Sequence, residues 1–299
     1  MKNSNWKLRK ILMAILINVS LLACNSSSAH KAKISDMKKN DTTAINKLQL
    51  NSKPWNPNST YQLYLSTVNK VIEEGKLVSF QLQINADAKK NVPLEVVHEQ
   101  KIHLIIVNDA LSWFHHIHPQ EQADGSFAIS EQFPASGKYW LFADYKPSGG
   151  DQMVSKMAIE VVGNEKLMIS LPEEKSFADA DGYQVTLLNS KNIKTNQSIF
   201  LDLSISKEGK LLEANDLEPY LGAIAHIILI SNDDKQMLHV HPTSTANALI
   251  HAETYISTPG KYRMWVQFKA DGQVHTADFT FKANQNDNKV PENQHQHQH

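Results

Sequence analysis

The sequence predicts an all-β protein of two tandem immunoglobulin-like β-sandwich domains, and three observations predict it. First, the chain repeats itself. His103, His116 and His118 recur as His226, His239 and His241, a constant offset of 123 residues, and Pro119, Gly137-Lys138-Tyr139 and Gly149 return as Pro242, Gly260-Lys261-Tyr262 and Gly272 in the same register. Upstream, Tyr61-Gln62-Leu63 answers Tyr183-Gln184-Val185 at an offset of 122. Second, each copy offers seven short runs of alternating or continuous apolar residues, punctuated by Gly, Pro, Asn and Asp. Third, no stretch of useful length keeps a helical period. A unit of roughly a hundred residues with seven such strands suggests the immunoglobulin-like sandwich.

From the N-terminus, Lys2, Lys7, Arg9 and Lys10 precede an apolar run at 11–22 that is too short for a permanent membrane span. Residues 1–23 therefore read as a signal peptide. Leu21-Leu22-Ala23-Cys24 looks like the lipobox of bacterial lipoproteins, in which the cysteine thiol takes a diacylglyceryl group and acyl chains supply membrane affinity. Residues 24–58 are rich in Ser, Lys, Asn, Asp and Thr and suit a flexible tether. The first sandwich is expected at 59–163, with strands at 61–67, 77–84, 102–108, 112–117, 127–133, 138–145 and 153–162. The second is expected at 164–283. Tyr139 and Tyr262, at the start of the sixth strand of each copy, sit where a tyrosine corner belongs. Residues 284–299, ending in alternating Gln and His, are expected to be disordered.

Composition excludes several classes. Thirty basic against 31 acidic side chains give no field for nucleic acid, and no Lys/Arg cluster is interleaved with aromatics. Cys24 is the only cysteine, so disulfides are ruled out and no thiolate remains for a metal or a nucleophile. No nucleophile elbow, zinc-protease helix, phosphate loop or dinucleotide fingerprint occurs, and catalysis is not expected. The expected location is the cell envelope, lipid-anchored, with Asn25 compatible with an outer membrane facing the periplasm.

The 14 histidines are the chemical lead, because most are clustered. Treating 102–108 and 112–117 as a hairpin centred between Asp109 and Ala110 puts His103 directly across from His116, with His118 on the same face. His226, His239 and His241 make the same triangle around Asn232-Asp233. Three neutral imidazoles with one open position suit copper first and zinc second. Met237 shares the parity of His239 and His241 and could add a thioether favouring Cu(I), whereas Phe114 holds the matching place in the first copy. The competing reading makes these histidines buried struts that donate to backbone carbonyls. His115 falls on the opposite face, and His98 stands outside the triangle. His251 and His275 have no histidine counterparts in the first copy, which makes them either extra ligands of the second domain or surface residues, and the surface is the expectation for both. Asp179-Ala180-Asp181-Gly182 hints at a calcium loop but lacks the remaining ligands.

The chain resembles a largely uncharacterised family of bacterial secreted and lipid-anchored proteins built from paired β-sandwich repeats. The resemblance lies in Asp216-Leu217-Glu218-Pro219-Tyr220-Leu221-Gly222-Ala223, His226, His239-Val240-His241-Pro242 and Val274-His275-Thr276-Ala277-Asp278-Phe279. In the first copy it lies in His103-Leu104-Ile105-Ile106-Val107, Phe114-His115-His116-Ile117-His118-Pro119 and Tyr139-Trp140-Leu141-Phe142-Ala143-Asp144. Ala225 stands where relatives usually carry Gly, and His275 where a basic residue is common. The resemblance implies the sandwich fold and an association with envelope heavy-metal handling, chiefly copper, and no established activity. Two readings of function follow: an envelope metal carrier or buffer using both His triads, or a non-catalytic interaction module engaging another envelope component.

Overall fold

The computed structural model describes residues 48–51, 53–54, 60–87, 89–164, 170–246 and 249–286. The signal peptide, Cys24, most of the tether and the histidines of the tail lie outside the described residues.

The strands of the first sandwich are β1 (Tyr61–Thr67), β2 (Leu77–Ala86), β3 (Ile102–Asn108), β4 (Phe114–Ile117), β5 (Phe127–Gln132), β6 (Gly137–Pro147) and β7 (Met153–Val162), with period-two burial along β1, β2 and β7. The second sandwich repeats them as β8 (Tyr183–Leu187), β9 (Ser198–Lys207), β10 (Ala225–Ser231), β11 (Met237–Val240), β12 (Leu249–Tyr255), β13 (Gly260–Ala270) and β14 (Gln273–Ala283). Short strands extend the edges. In each copy one sheet runs β1-β2-β5 or β8-β9-β12, and the other β4-β3-β6-β7 or β11-β10-β13-β14. The expected seven strands per copy are all present. Both tyrosine corners close, with Tyr139 donating to Ala135 O and Tyr262 to Thr258 O, each at 2.8 Å.

Every residue of β3 and of β10 is buried. A strand in a half-solvated sheet would alternate, so both faces must be covered. One face of β3 (Ile102, Leu104, Ile106) joins Leu63, Leu82 and Tyr139 in the first core, and one face of β10 (Ala225, Ile227, Leu229) joins Val185, Leu203 and Phe279 in the second. The other faces meet each other. Ile105, Val107, Leu111 and Phe142 of the first copy cluster with Ile228, Ile230, Met237 and Trp265 of the second. Phe114 stacks on Trp265 with ring centroids 4.6 Å apart, and Arg263 Nε donates to Leu111 O at 3.1 Å. The β4-β3-β6-β7 sheet thus packs on the β11-β10-β13-β14 sheet. Among the described residues, polar side chains flank the apolar layer at both ends, Arg263 and Lys156 on the turn side and the histidines with Asp144 and Gln267 on the other.

Candidate metal centre

The hairpins that carry the histidines are longer at the turn than the expected two residues. Asn108 Oδ1 accepts from the backbone of Ser112 and Trp113, and Leu111 takes a positive φ of 54°, so the register moves by two residues. His116 lies opposite Ile105 instead of His103, and His239 lies opposite Ile228. A shift of two leaves every side chain on its expected face, and the triangles survive. The ligating nitrogens of His103, His116 and His118 all lie within 4.8 Å of one another, as do those of His226, His239 and His241.

The second nitrogen of each inner ring fixes its proton. His103 Nε2 lies 3.0 Å from Val97 O, and His226 Nε2 lies 2.9 Å from Tyr220 O. Carbonyls only accept, so both Nε2 atoms carry hydrogen and both Nδ1 atoms are bare. His116 Nδ1 donates to Gln267 Oε1 at 2.7 Å, in an amide oriented by Gln267 Nε2 donating to Thr276 Oγ1. His239 Nδ1 donates to Asp144 Oδ2 at 2.8 Å. The Nε2 atoms of His116 and His239 are therefore bare as well. Yet His103 Nδ1 faces His116 Nε2 at 3.1 Å, His226 Nδ1 faces His239 Nε2 at 3.1 Å, and His241 Nε2 stands 3.0 Å from His226 Nδ1. His118 Nε2 is buried with no hydrogen-bond partner. In the first two of these contacts lone pairs are aimed at one another, which repels unless a cation stands between them. The donor set fits a metal ion held by three imidazoles, two of which in each triad have their other ring nitrogen anchored, the usual second layer of a histidine metal site.

Protonation is a poor substitute for that cation. Burial pushes every one of these imidazoles below its ordinary pKa, with neighbouring rings adding repulsion at most of them; His118 and His226 come down to about 4, and His116 and His239 fall well below the usual range. Burial also raises the carboxyl of Asp144, against the opposing bond from Gln152. The folded cluster keeps its imidazoles neutral at neutral pH, as metal ligands must be.

The structure brings all six predicted histidines together, and it does so across the domain boundary: the rings of His103 and His239 lie 5.1 Å apart, and those of His116 and His239 5.7 Å. Met237 does not join them. It pairs with Ile230 two rungs from His239 and packs into the apolar layer with Trp265, so the expected thioether ligand is a core residue. His115 bonds Glu131 at 2.7 Å on the far side of its strand, as its parity required. His251 is half-buried and paired with Asp202, whereas His275, expected at the surface, is buried between Asp181 and Ala270 O beneath the ring of Tyr183.

Sequence reasoning missed Asp144, Gln267 and His98. Asp144 and Gln267 stand at the same 123-residue offset and share the parity of the outward residues of their strands, which was a readable signal. Their partners were not readable, because each belongs to the other domain. His98 sits at φ 49° in a two-residue turn closed by Val97 and Gln100 and stacks on His241 at 3.6 Å; the second copy repeats the turn with Leu221 in its place.

The model of DUF8832, a domain of unknown function, matches the chain twice, at 58–163 and 178–285. The chain belongs to the DUF8832 family. Among solved structures, this DUF8832 tandem is similar to the fibronectin(III)-like modules of Clostridium thermocellum CbhA, at 13% identity over 79% of this chain and 100% of that one, with a TM-score of 0.20. It is also similar to Salmonella alpha-2-macroglobulin reacted with methylamine, at 11% identity over 75% of this chain and 17% of that one, with a TM-score of 0.24. No curated protein matches it.

Proposed function

We propose that this protein is a lipid-anchored metal-binding protein of the bacterial cell envelope, a copper carrier or buffer whose ligands are the two His triads. The observation that carries the reading is two pairs of bare nitrogens, His103 Nδ1 with His116 Nε2 and His226 Nδ1 with His239 Nε2, each facing at 3.1 Å with the partner nitrogens tied to acceptors. With Met237 in the apolar layer, the preference for copper over zinc rests on the higher affinity of nitrogen donors for copper among the divalent first-row ions. The lipid anchor at Cys24 and the outer-membrane location rest on the signal sequence. The role proposed is binding and not catalysis.

The bonds from His103 and His226 to backbone carbonyls also favour a second reading, in which the histidines are struts of an interaction module. Titration of the chain without its first 24 residues with Cu(I), Cu(II) and Zn(II), followed by gel filtration and elemental analysis, separates the two. The carrier reading expects one or two retained ions, lost in His116→Ala/His118→Ala and His239→Ala/His241→Ala without loss of fold. A folded protein that retains none leaves the second reading. Palmitate labelling lost in Cys24→Ser tests the anchor.

A further inference from the structure

One support of each triad comes from the opposite domain. His116 of the first copy leans on Gln267 of the second, and His239 of the second leans on Asp144 of the first. Because 116 and 239 are equivalent positions, as are 144 and 267, the two bonds are related by an approximate two-fold axis through the interface. The chemistry at their ends differs. Gln267 offers a neutral amide oxygen, whereas Asp144 offers a carboxylate that is 2% exposed.

That carboxylate accepts from Gln152 Nε2 at 2.8 and 3.1 Å and from His239 Nδ1 at 2.8 Å. None of these donors is a permanent cation. A buried anion with only neutral donors is costly, and a cation on the far nitrogen of His239 would balance it through the ring. Among the described residues, no carboxylate hydrogen-bonds a ring of the first triad. Meanwhile the nearest rings of the two triads across the boundary, His103 and His239, stand 5.1 Å apart, inside the 4.5–5.4 Å range of rings within one triad.

Resting on the proposed metal-binding function, we infer that the two triads form a single two-ion centre with unequal halves, in which the second-domain triad, backed by Asp144, binds a divalent cation more tightly than the first-domain triad, backed by Gln267. Asp144 is a positioning and charge-balancing residue here, acting on the ion through His239. Docking of the two domains is then part of the site, since one ring of each triad takes its anchor from the other domain.

The full mature chain in detergent, titrated with Zn(II) against a chelator of known affinity, tests the inequality. His118→Ala leaves the second triad whole, and His241→Ala leaves the first. The expected result is tighter binding in His118→Ala than in His241→Ala. Adding Asp144→Asn, which still accepts from His239 Nδ1, is expected to weaken the His118→Ala site by about 10- to 100-fold and leave the His241→Ala site unchanged. Gln267→Glu is expected to tighten the His241→Ala site, a gain that no folding defect produces. Equal affinities in the two backgrounds, or an Asp144→Asn loss shared equally by both, would overturn the inequality while leaving metal binding standing. Zn(II) and Cu(II) bound by neither background would instead overturn the function itself. Electron paramagnetic resonance tests the sharing. Wild type loaded with two Cu(II) is expected to show a spin-coupled spectrum, and a simple sum of the two single-triad spectra would overturn the common centre.

Discussion

Removing metal should lower the melting temperature by an amount the structure allows to be worked out. Each triad is assembled only in the folded state, since its nitrogens come from the two arms of a hairpin and one of its anchors from the other domain. An ion held by the native state alone and present at 100 times its Kd contributes about 2.7 kcal/mol, so two ions contribute roughly 5 kcal/mol. The layer of Ile105, Val107, Phe142, Ile228, Ile230 and Trp265 joins the domains, so they should melt as one unit and register the whole of it. For a unit of this size about 1 kcal/mol moves the midpoint by about 2–4 °C, which gives a shift of roughly 10–20 °C. Differential scanning calorimetry of chelator-treated and copper- or zinc-loaded protein measures it, and His118→Ala or His241→Ala should each remove about half. An unchanged midpoint at 100-fold excess over a measured Kd would refute the reasoning, as would two separate transitions of which neither responds to metal.

Three further outcomes follow from the same structure. His118 and His226 titrate near 4 when folded and near 6.5 when unfolded, so the unfolded chain binds more protons in between: metal-free stability should be full above about pH 6.5 and fall as the pH drops through about 4, and a metal-free protein equally stable at pH 4.5 and 7 by urea denaturation would contradict this. Trp265→Ala empties the space against Phe114 at a site 4% exposed and should cost about 3–5 kcal/mol, read from chemical denaturation; a loss under about 1 kcal/mol would mean the sheets do not pack through this face. Tyr139→Phe strands the buried carbonyl of Ala135 and should cost about 1–3 kcal/mol with metal affinity unchanged, whereas an affinity loss would tie the corner to the site.

The repeat carried most of what was legible in the sequence. Gly137-Lys138-Tyr139 and Gly260-Lys261-Tyr262 located the sixth strand of both copies, and the alternation around it gave its neighbours. The parity of His103, His116 and His118 survived even though the register did not, because Leu111 and Lys235 absorb two extra turn residues at positive φ that no Gly or Asn advertised. What stayed hidden is everything that depends on the second domain. An apolar run such as Ile102–Asn108 reads the same whether its outer face meets a helix, a sheet or another domain. Met237 was misplaced for that reason, since its face belongs to the apolar layer two rungs from the histidines. Asp144 and Gln267 escaped notice because a lone carboxylate or amide on a strand says nothing until its partner is known. His275 was expected in solvent because the Asp181 turn that covers it lies far away in the chain.

The reciprocal bonds of Gln267 to His116 and Asp144 to His239 also bear on how such a chain arises. Two copies of one ancestral domain, meeting face to face about a two-fold axis, would have made the same pair of bonds, with one residue type serving at both. A homodimer cannot then tune its two sites apart, since any substitution appears twice. Joining the copies in one polypeptide removes that constraint. The tandem can keep an acid at 144 and an amide at 267, and so hold two chemically different environments within a nearly symmetric frame.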